Sequence, residues 1–246
     1  MKIVSYGGGT NSTALLIGLH EREERPDAIT FADTGNERPE TYAYVATMNE
    51  WCKRVGFPEI VTVRKGGRPE TLEENCLRMK MLPSLAYGFK GCSQKFKIEP
   101  QEAWENKNPE CKAVWNAGGK VVRMIGYDAD EHHRAKIPED AKHTFRYPLV
   151  EWDWGRDDCV EAITRAKLCQ PGKSACFFCP SARPPEIRAM AATHPDLIAR
   201  ALALEANAET YEVKGLGRSW SWKNLLATDD MFDFPAVVDC DCYHAG

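Results

Sequence analysis

The chain has 246 residues, 43% of them apolar and 28% charged, and a formal net charge of −4. That is the profile of a soluble globular protein: one α/β domain, or one with a smaller appendage. It counts against a sequence-blind nucleic-acid binder, which is usually basic, although a local basic groove can sit on an acidic protein. No apolar run approaches the roughly 18 residues of a membrane span. The opening KIVSY is strand-like and unlike a signal peptide, so a cytoplasmic location is expected.

The elements alternate. Lys2–Ser5 reads as a short buried strand and Asn11–His20 as a helix with Leu15, Leu16 and Leu19 inward. Ala28–Ala32 is a second strand, Pro39–Val55 a helix, Ile60–Arg64 a third strand and Val121–Gly126 a fourth. This order predicts an α/β fold, a doubly wound and mostly parallel sheet with helices on both faces. Such sheets bind ligands at the carboxyl ends of their strands. After Gly126 the polar DADEHHRAKIPEDAK reads as a loop. A helix follows near Asp157–Leu168, then a cysteine-bearing stretch, helical spacing over Glu186–Ala208 and an irregular tail. The expected division is a nucleotide-binding domain over 1–150 and a cysteine-containing, mainly helical region over 151–246.

Gly7-Gly8-Gly9 lies between the first strand and a Ser/Thr-containing helix start. Glycines let backbone amides approach an anion, and a helix N-terminus adds unpaired donors and partial positive charge. Ser12 and Thr13 add hydroxyls. No lysine follows, so this is not G-x-x-x-x-G-K-[ST], and it is not G-x-G-x-x-G either. The stretch Gly7–Ser12 resembles the S-G-G-x-D-S pyrophosphate loop of the ATP-pyrophosphatase and PAPS-reductase superfamily. Gly7 stands in place of the usual serine and Asn11 in place of the usual aspartate.

Four later stretches extend the resemblance. FADTGNERPET is similar to the family's D-T-G-x-x-x-P-x-T, and GCSQKFKIEP to its C-C-x-x-R-K-x-x-P, with Gly91 in the first cysteine's place. IGYDADEHHR is similar to G-x-R-x-x-E-x-x-x-R, matched at Gly126, Glu131 and Arg134, with Tyr127-Asp128 where an arginine often stands nearby. YPLVEWDW resembles the segment that precedes the family's cysteine pair, and its Trp152 reads as structural. The resemblance implies that Ser5, Gly7, Gly8, Gly9, Thr10, Asn11, Ser12, Asp33, Thr34 and Gly35 hold an adenine nucleotide. It implies that Lys95, Lys97 and Arg134 act on its phosphate or sulfate oxygens. His132 and His133 read as solvent-exposed.

Ten cysteines without a secretion signal point to metal or redox chemistry. Cys176 and Cys179 form a C-x-x-C pair that can hold a metal or cycle as a dithiol. Iron–sulfur members of the family hold a 4Fe-4S cluster with such a pair and an upstream Cys-Cys. That implies Cys92, Cys176 and Cys179 as ligands, and Cys240 is the favoured fourth ahead of Cys169 and Cys242. A zinc site of Cys176, Cys179, Cys240 and Cys242 is the rival. Cys52, Cys76, Cys111 and Cys159 fit helical patterns and read as packing residues.

The first functional reading is a nucleotide enzyme using ATP or a PAPS-type nucleotide with Mg²⁺. It releases pyrophosphate and serves sulfur transfer to tRNA, DNA or a small molecule. The second is a thiol-dependent reductase of PAPS or adenylyl sulfate, with Cys242 as the tail nucleophile. The third is a nucleotide-binding accessory protein without catalysis, suggested by Gly7 and Asn11.

Overall fold

The computed structural model describes residues 1–67 and 70–228. Cys240 and Cys242 lie outside that range. In chain order the first elements are β1 (Lys2–Tyr6), α1 (Thr10–Glu21), β2 (Ala28–Ala32), α2 (Pro39–Arg54), β3 (Ile60–Val63) and α3 (Leu72–Met79). Then come α4 (Gly91–Ser93), a π turn at Gln94–Ile98, α5 (Glu99–Glu105), α6 (Pro109–Asn116), β4 (Val121–Ile125) and β5 (His143–Arg146). The remainder is helical: α7 (Pro148–Glu151), α8 (Arg156–Arg165), α9 (Pro184–Thr193), α10 (Pro195–Asn207) and α11 (Trp222–Ala227).

The strands form one five-stranded sheet in the order β3-β2-β1-β4-β5. Every pairing is parallel, with Val4 opposite Ile29 on one side of β1 and opposite Met124 on the other. The chain winds outward from β1 through β2 to β3, then returns to the other side of β1 for β4 and β5. The topological switch point therefore lies between β1 and β4, where open parallel sheets bind ligands.

The two-residue period of a strand sends β1 side chains to opposite faces. Val4 and Tyr6 join Leu15 and Leu16 of α1, Met48 and Trp51 of α2, and Cys159, Ala162 and Ile163 of α8. Ile3 joins Ala28, Val121 and Cys111 of α6 on the other face. Both faces are covered, as the expected fold class requires. β5 was not foreseen: His-Thr-Phe-Arg has no apolar alternation, and only His143 in it is buried.

The chain divides into two compact units. The first holds residues 1–33, 37–64 and 98–174; the second holds 34–36, 65–97 and, among the described residues, 175–228. This division differs from a break near residue 150. Residues 151–174 stay with the sheet because α8 shares the core of α1. The second unit has its own core, in which Leu72, Phe96, Phe177, Phe178, Ile187 and Trp222 are buried. The helical stretch expected at Glu186–Ala208 is two helices, α9 and α10, parted at His194. Pro195 opens the second, since it lacks an N–H and disfavours helix in the residue before it.

Candidate functional site

β1 carries the chain to the carboxyl edge of the sheet, where Gly7–Gly9 turn it into α1. Gly8 has φ +76°, and an added Cβ would lie 2.9 Å from Thr41 Cγ2. Backbone conformation and space both demand glycine there. Gly9 is extended, and α1 has no side-chain cap. The first helical bond runs from Thr13 N–H to the Gly9 carbonyl at 3.0 Å. Among the described residues, the amides of Gly8 through Ser12 find no acceptor. Five consecutive open donors at the positive end of a helix dipole form an oxyanion cradle. Ser12 Oγ donates back to the Gly9 carbonyl at 3.1 Å, and Ser174 Oγ donates to the Gly7 carbonyl.

The loop after β4 meets this cradle across the switch point. An added Cβ on Gly126 would lie 3.0 Å from the Asn11 backbone, so glycine permits the first turn of α1 to approach the end of β4. Asn11 Nδ2 donates to Asp128 Oδ2 at 2.8 Å and to Glu131 Oε2 at 3.4 Å. Asn11 Oδ1 accepts from Arg156 Nη1 at 3.1 Å. Burial, reinforced by the Glu131 charge, raises the Asp128 carboxyl above its ordinary range, and the Asn11 hydrogen bond works the other way. Arg134 donates to Glu131 Oε1 at 2.6 Å and lies 4.3 Å from the centre of the Tyr127 ring. His132 and His133 are exposed.

Two expected nucleotide contacts are committed within the first unit. Ser5 Oγ donates to Gln101 Oε1 at 2.8 Å, alongside Thr30 Oγ1 at 2.9 Å, on the α5 face of the sheet. Asp33 is buried; its Oδ1 accepts from Tyr42 Oη at 2.8 Å and its Oδ2 from Arg64 Nε at 2.8 Å. Thr10 is buried at the start of α1, beside the open amides.

The remaining candidates belong to the second unit. Thr34 Oγ1 lies 3.1 Å from Cys176 Sγ, and Gly35 has φ +77°. Lys95 is exposed and Lys97 half-buried, both on the π turn, and Phe96 between them is buried. Cys176 and Cys179 are buried in the core of this unit, with Cys92 packed against it. Cys179 Sγ lies 3.0 Å from Ser181 Oγ. Burial pushes the Cys179 thiol up, and nearby Cys92 adds to this. Cys76 is also pushed up, to about 12, by burial first and then by Cys92.

Among the described residues, no three His, Cys, Asp or Glu side chains gather into a group that could hold a metal ion. A four-iron cluster wants four thiolates. The described thiols do not make up that set, and Cys240 lies outside the described residues. Cys169, one of the alternatives for the fourth ligand, is exposed. Cys52, Cys76, Cys111 and Cys159 are buried, as packing residues should be.

Sequence reasoning missed Ser174, Asp128 and Arg156 as neighbours of the cradle. Asp128 carried a signal, since it stands at a departure from the resembled motif. Ser174 and Arg156 lie more than a hundred residues downstream and carried none. A cavity of ≈ 340 Å³ lined by Met1, Asp27, Trp104 and Glu110 involves the amino-terminal ends of β1 and β2, and no candidate residue lines it. Among the described residues, no helix is long and apolar enough to cross a membrane.

No family model matches the chain, and no curated protein matches it. Among solved structures, it is similar to the U34-tRNA thiolase NcsA from Methanococcus maripaludis with its 4Fe-4S cluster. The TM-score is 0.48 and the identity 14%, over 90% of this chain and 76% of that one.

Proposed function

We propose that the first unit is a nucleotide-binding enzyme of the pyrophosphate-loop type, in which Gly8–Ser12 hold the pyrophosphate segment of an adenine nucleotide. The observation that carries this reading is the run of open amides on a left-handed glycine turn at the switch point. The nucleotide enters as its Mg²⁺ complex. An acceptor oxygen bonds to the α-phosphorus, the bond to the bridging oxygen breaks, and pyrophosphate leaves with the electron pair. Fixed amide dipoles stabilise the charge developing on that leaving group without reorganising. The adenylylated acceptor is then open to a sulfur nucleophile that displaces AMP. The acceptor class is tRNA, DNA or a small molecule.

The chain's own groups have distinct tasks. Thr10 and Ser12 stand at the first turn of α1, beside the donors. Arg156 supplies positive charge beside Asn11 through its hydrogen bond to Asn11 Oδ1, and Arg134 is paired with Glu131, whose other carboxylate oxygen faces Asn11 Nδ2. Asp33 holds Tyr42 and Arg64 in place at the end of β2. The reductase alternative rests on Cys242, outside the described residues, and no observation favours it.

The test uses the full chain with ATP and Mg²⁺. Wild type is expected to bind ATP by titration calorimetry and to release pyrophosphate when its acceptor is supplied. Gly8→Ala should abolish both while the protein stays folded by circular dichroism. Unchanged ATP affinity in Gly8→Ala would remove the loop from the site.

A further inference from the structure

Arg156 opens α8 beside the candidate site. Its backbone N–H donates to Asp130 Oδ2 at 2.9 Å, and Asp158 Oδ2 takes the N–H of Gly155 before it, so carboxylates already hold this helix start. The side chain goes elsewhere. It is exposed, and its Nη1 donates to Asn11 Oδ1 at 3.1 Å. One short side chain and one hydrogen bond separate the guanidinium from the Asn11 amide, which is among the open donors of Gly8–Ser12. Both residues belong to the first unit.

The choice of partner is informative. Asp157 and Asp158 follow Arg156 in the chain and Asp130 touches its backbone. Yet among the described residues the guanidinium forms no ion pair with a carboxylate. Arg134, by contrast, is paired with Glu131, and Arg146 with Glu24 and Glu151. A carboxylate partner would neutralise Arg156, whereas an amide oxygen orients it and leaves its charge in place.

Asn11 can face only one way. Its amide has one donor side and one acceptor side. Asp128 Oδ2 lies 2.8 Å and Glu131 Oε2 3.4 Å from Nδ2. A rotated amide would set its oxygen against both carboxylates and its NH₂ against the guanidinium. The two carboxylates therefore hold Oδ1 towards Arg156. The bond through Nη1 leaves the Nε–Nη2 edge without an acceptor among the described residues, and that edge can meet two oxygens side by side.

We infer that Arg156 is a specificity-determining ligand contact, gripping the pyrophosphate segment from beside the loop, and that Asn11 is its positioning residue. This rests on the nucleotide reading above and deepens it: a diphosphate chain that meets the amides and the guanidinium together is selected over a single phosphate. The asparagine at position 11 then has a reason, because an aspartate there would pair with Arg156 and take its charge from the ligand.

The experiment compares wild type, Arg156→Gln, Arg156→Lys, Asn11→Ala, the Asn11→Ala/Arg156→Gln double variant and Gly8→Ala as full chains. Affinities for ATP, inorganic pyrophosphate and AMP are measured with Mg²⁺ at two salt concentrations, and thermal midpoints without ligand. Arg156→Gln is expected to melt like wild type, since the exposed side chain leaves the backbone bonds of α8 intact. It should lose about tenfold or more in affinity for ATP and pyrophosphate, the scale of a lost charge-assisted contact, and keep its affinity for AMP. Its remaining pyrophosphate affinity should depend less on salt than that of wild type. Lysine should restore only part of the loss, since it lacks the fork. Asn11→Ala should weaken ATP and pyrophosphate binding in the wild-type background and cost nothing further beside Arg156→Gln.

The two readings fail separately. If Gly8→Ala binds like wild type but Arg156→Gln does not, the loop reading fails and the Arg156 contact stands. If Arg156→Gln binds ATP and pyrophosphate like wild type while Gly8→Ala loses both, the inference is overturned and the loop reading stands. An equal loss for AMP and pyrophosphate would overturn the specificity, and additive losses in the double variant would overturn the positioning role of Asn11.

Discussion

Asn11 Nδ2 donates to Asp128 Oδ2 at 2.8 Å, joining the first turn of α1 to the end of β4 across the switch point. These residues stand at two of the places where the chain departs from the pyrophosphate-loop motif it resembles. The departures answer one another. An aspartate at position 11 would set a third carboxylate against Asp128 and Glu131, whereas the asparagine amide donates to both.

Asn11→Asp should therefore destabilise the protein by about 1–3 kcal/mol, the range for removing a partner from a buried polar group. Asp128→Asn in the same chain should return part of that loss, since asparagine can donate where aspartate accepts. A double-mutant cycle in urea measures the coupling. A coupling energy of zero would mean that the two departures are unrelated.

Gly7 and Gly8 are adjacent and should respond differently to alanine. Gly8 has positive φ and a close Thr41 methyl group. The left-handed conformation alone costs alanine roughly 1–2 kcal/mol. At Gly7 an added Cβ meets only Ser12 Oγ, at 3.8 Å, without positive φ. Gly7→Ala is expected to melt near wild type and keep ATP affinity within a few fold. Gly8→Ala should lower the melting temperature and lose binding. Equal behaviour of the two variants would contradict the loop geometry.

The strands, the parallel order and the glycine turn were legible because each is local. Ala28–Ala32 reads as a strand from five residues, and Gly7–Gly9 as a turn from three. The partners of the turn were not legible. Ser174 reaches the Gly7 carbonyl from far downstream, and nothing near Ser174 in sequence announces it. Ser5 shows the opposite case. Its place before the glycines suggested a ligand contact, but strand alternation turns it to the α5 face, where Gln101 takes its hydroxyl. The split of Asp33 from Thr34 and Gly35 between two units also has no local signature.

Cysteine reactivity should follow burial. Cys169 is exposed and Cys92 partly so, while Cys76, Cys176 and Cys179 are buried. A thiol reacts as its thiolate, and burial holds Cys76 and Cys179 protonated at neutral pH. Site-resolved mass spectrometry after brief iodoacetamide treatment at pH 7.5 should find Cys169 modified first and Cys92 next. Cys76 and Cys179 should react only after denaturation. Rapid labelling of Cys179 in folded protein would contradict this. Stoichiometric iron that disappears in Cys240→Ser would show the tail completing the thiolate set.

His143 gives the clearest pH dependence. Its Nε2 lies 2.8 Å from Glu105 Oε2, and its Nδ1 lies 3.0 Å from both Asp140 oxygens. Glu105 also takes Arg123 Nε at 2.8 Å and Nη2 at 2.7 Å. Carboxylates face both ring nitrogens, so the ring is best satisfied when both carry protons. Burial opposes that charge most strongly, and Arg123 opposes it too, yet the hydrogen bonds to Glu105 and Asp140 leave the His143 pKa raised. The folded protein thus keeps a proton that the unfolded chain loses above its ordinary value of about 6.5. The resulting stability is complete below about pH 6.5 and is lost as pH rises through the folded pKa, with a slope of at most about 1.4 kcal/mol per pH unit. Urea denaturation from pH 6 to 9 should show wild type weakening with pH above 6.5, and His143→Gln showing a flatter profile from a lower start. The shared Glu105 contact predicts that Glu105→Gln also flattens the profile, because a neutral amide no longer favours the imidazolium. Identical slopes in all three proteins would place the titrating group elsewhere.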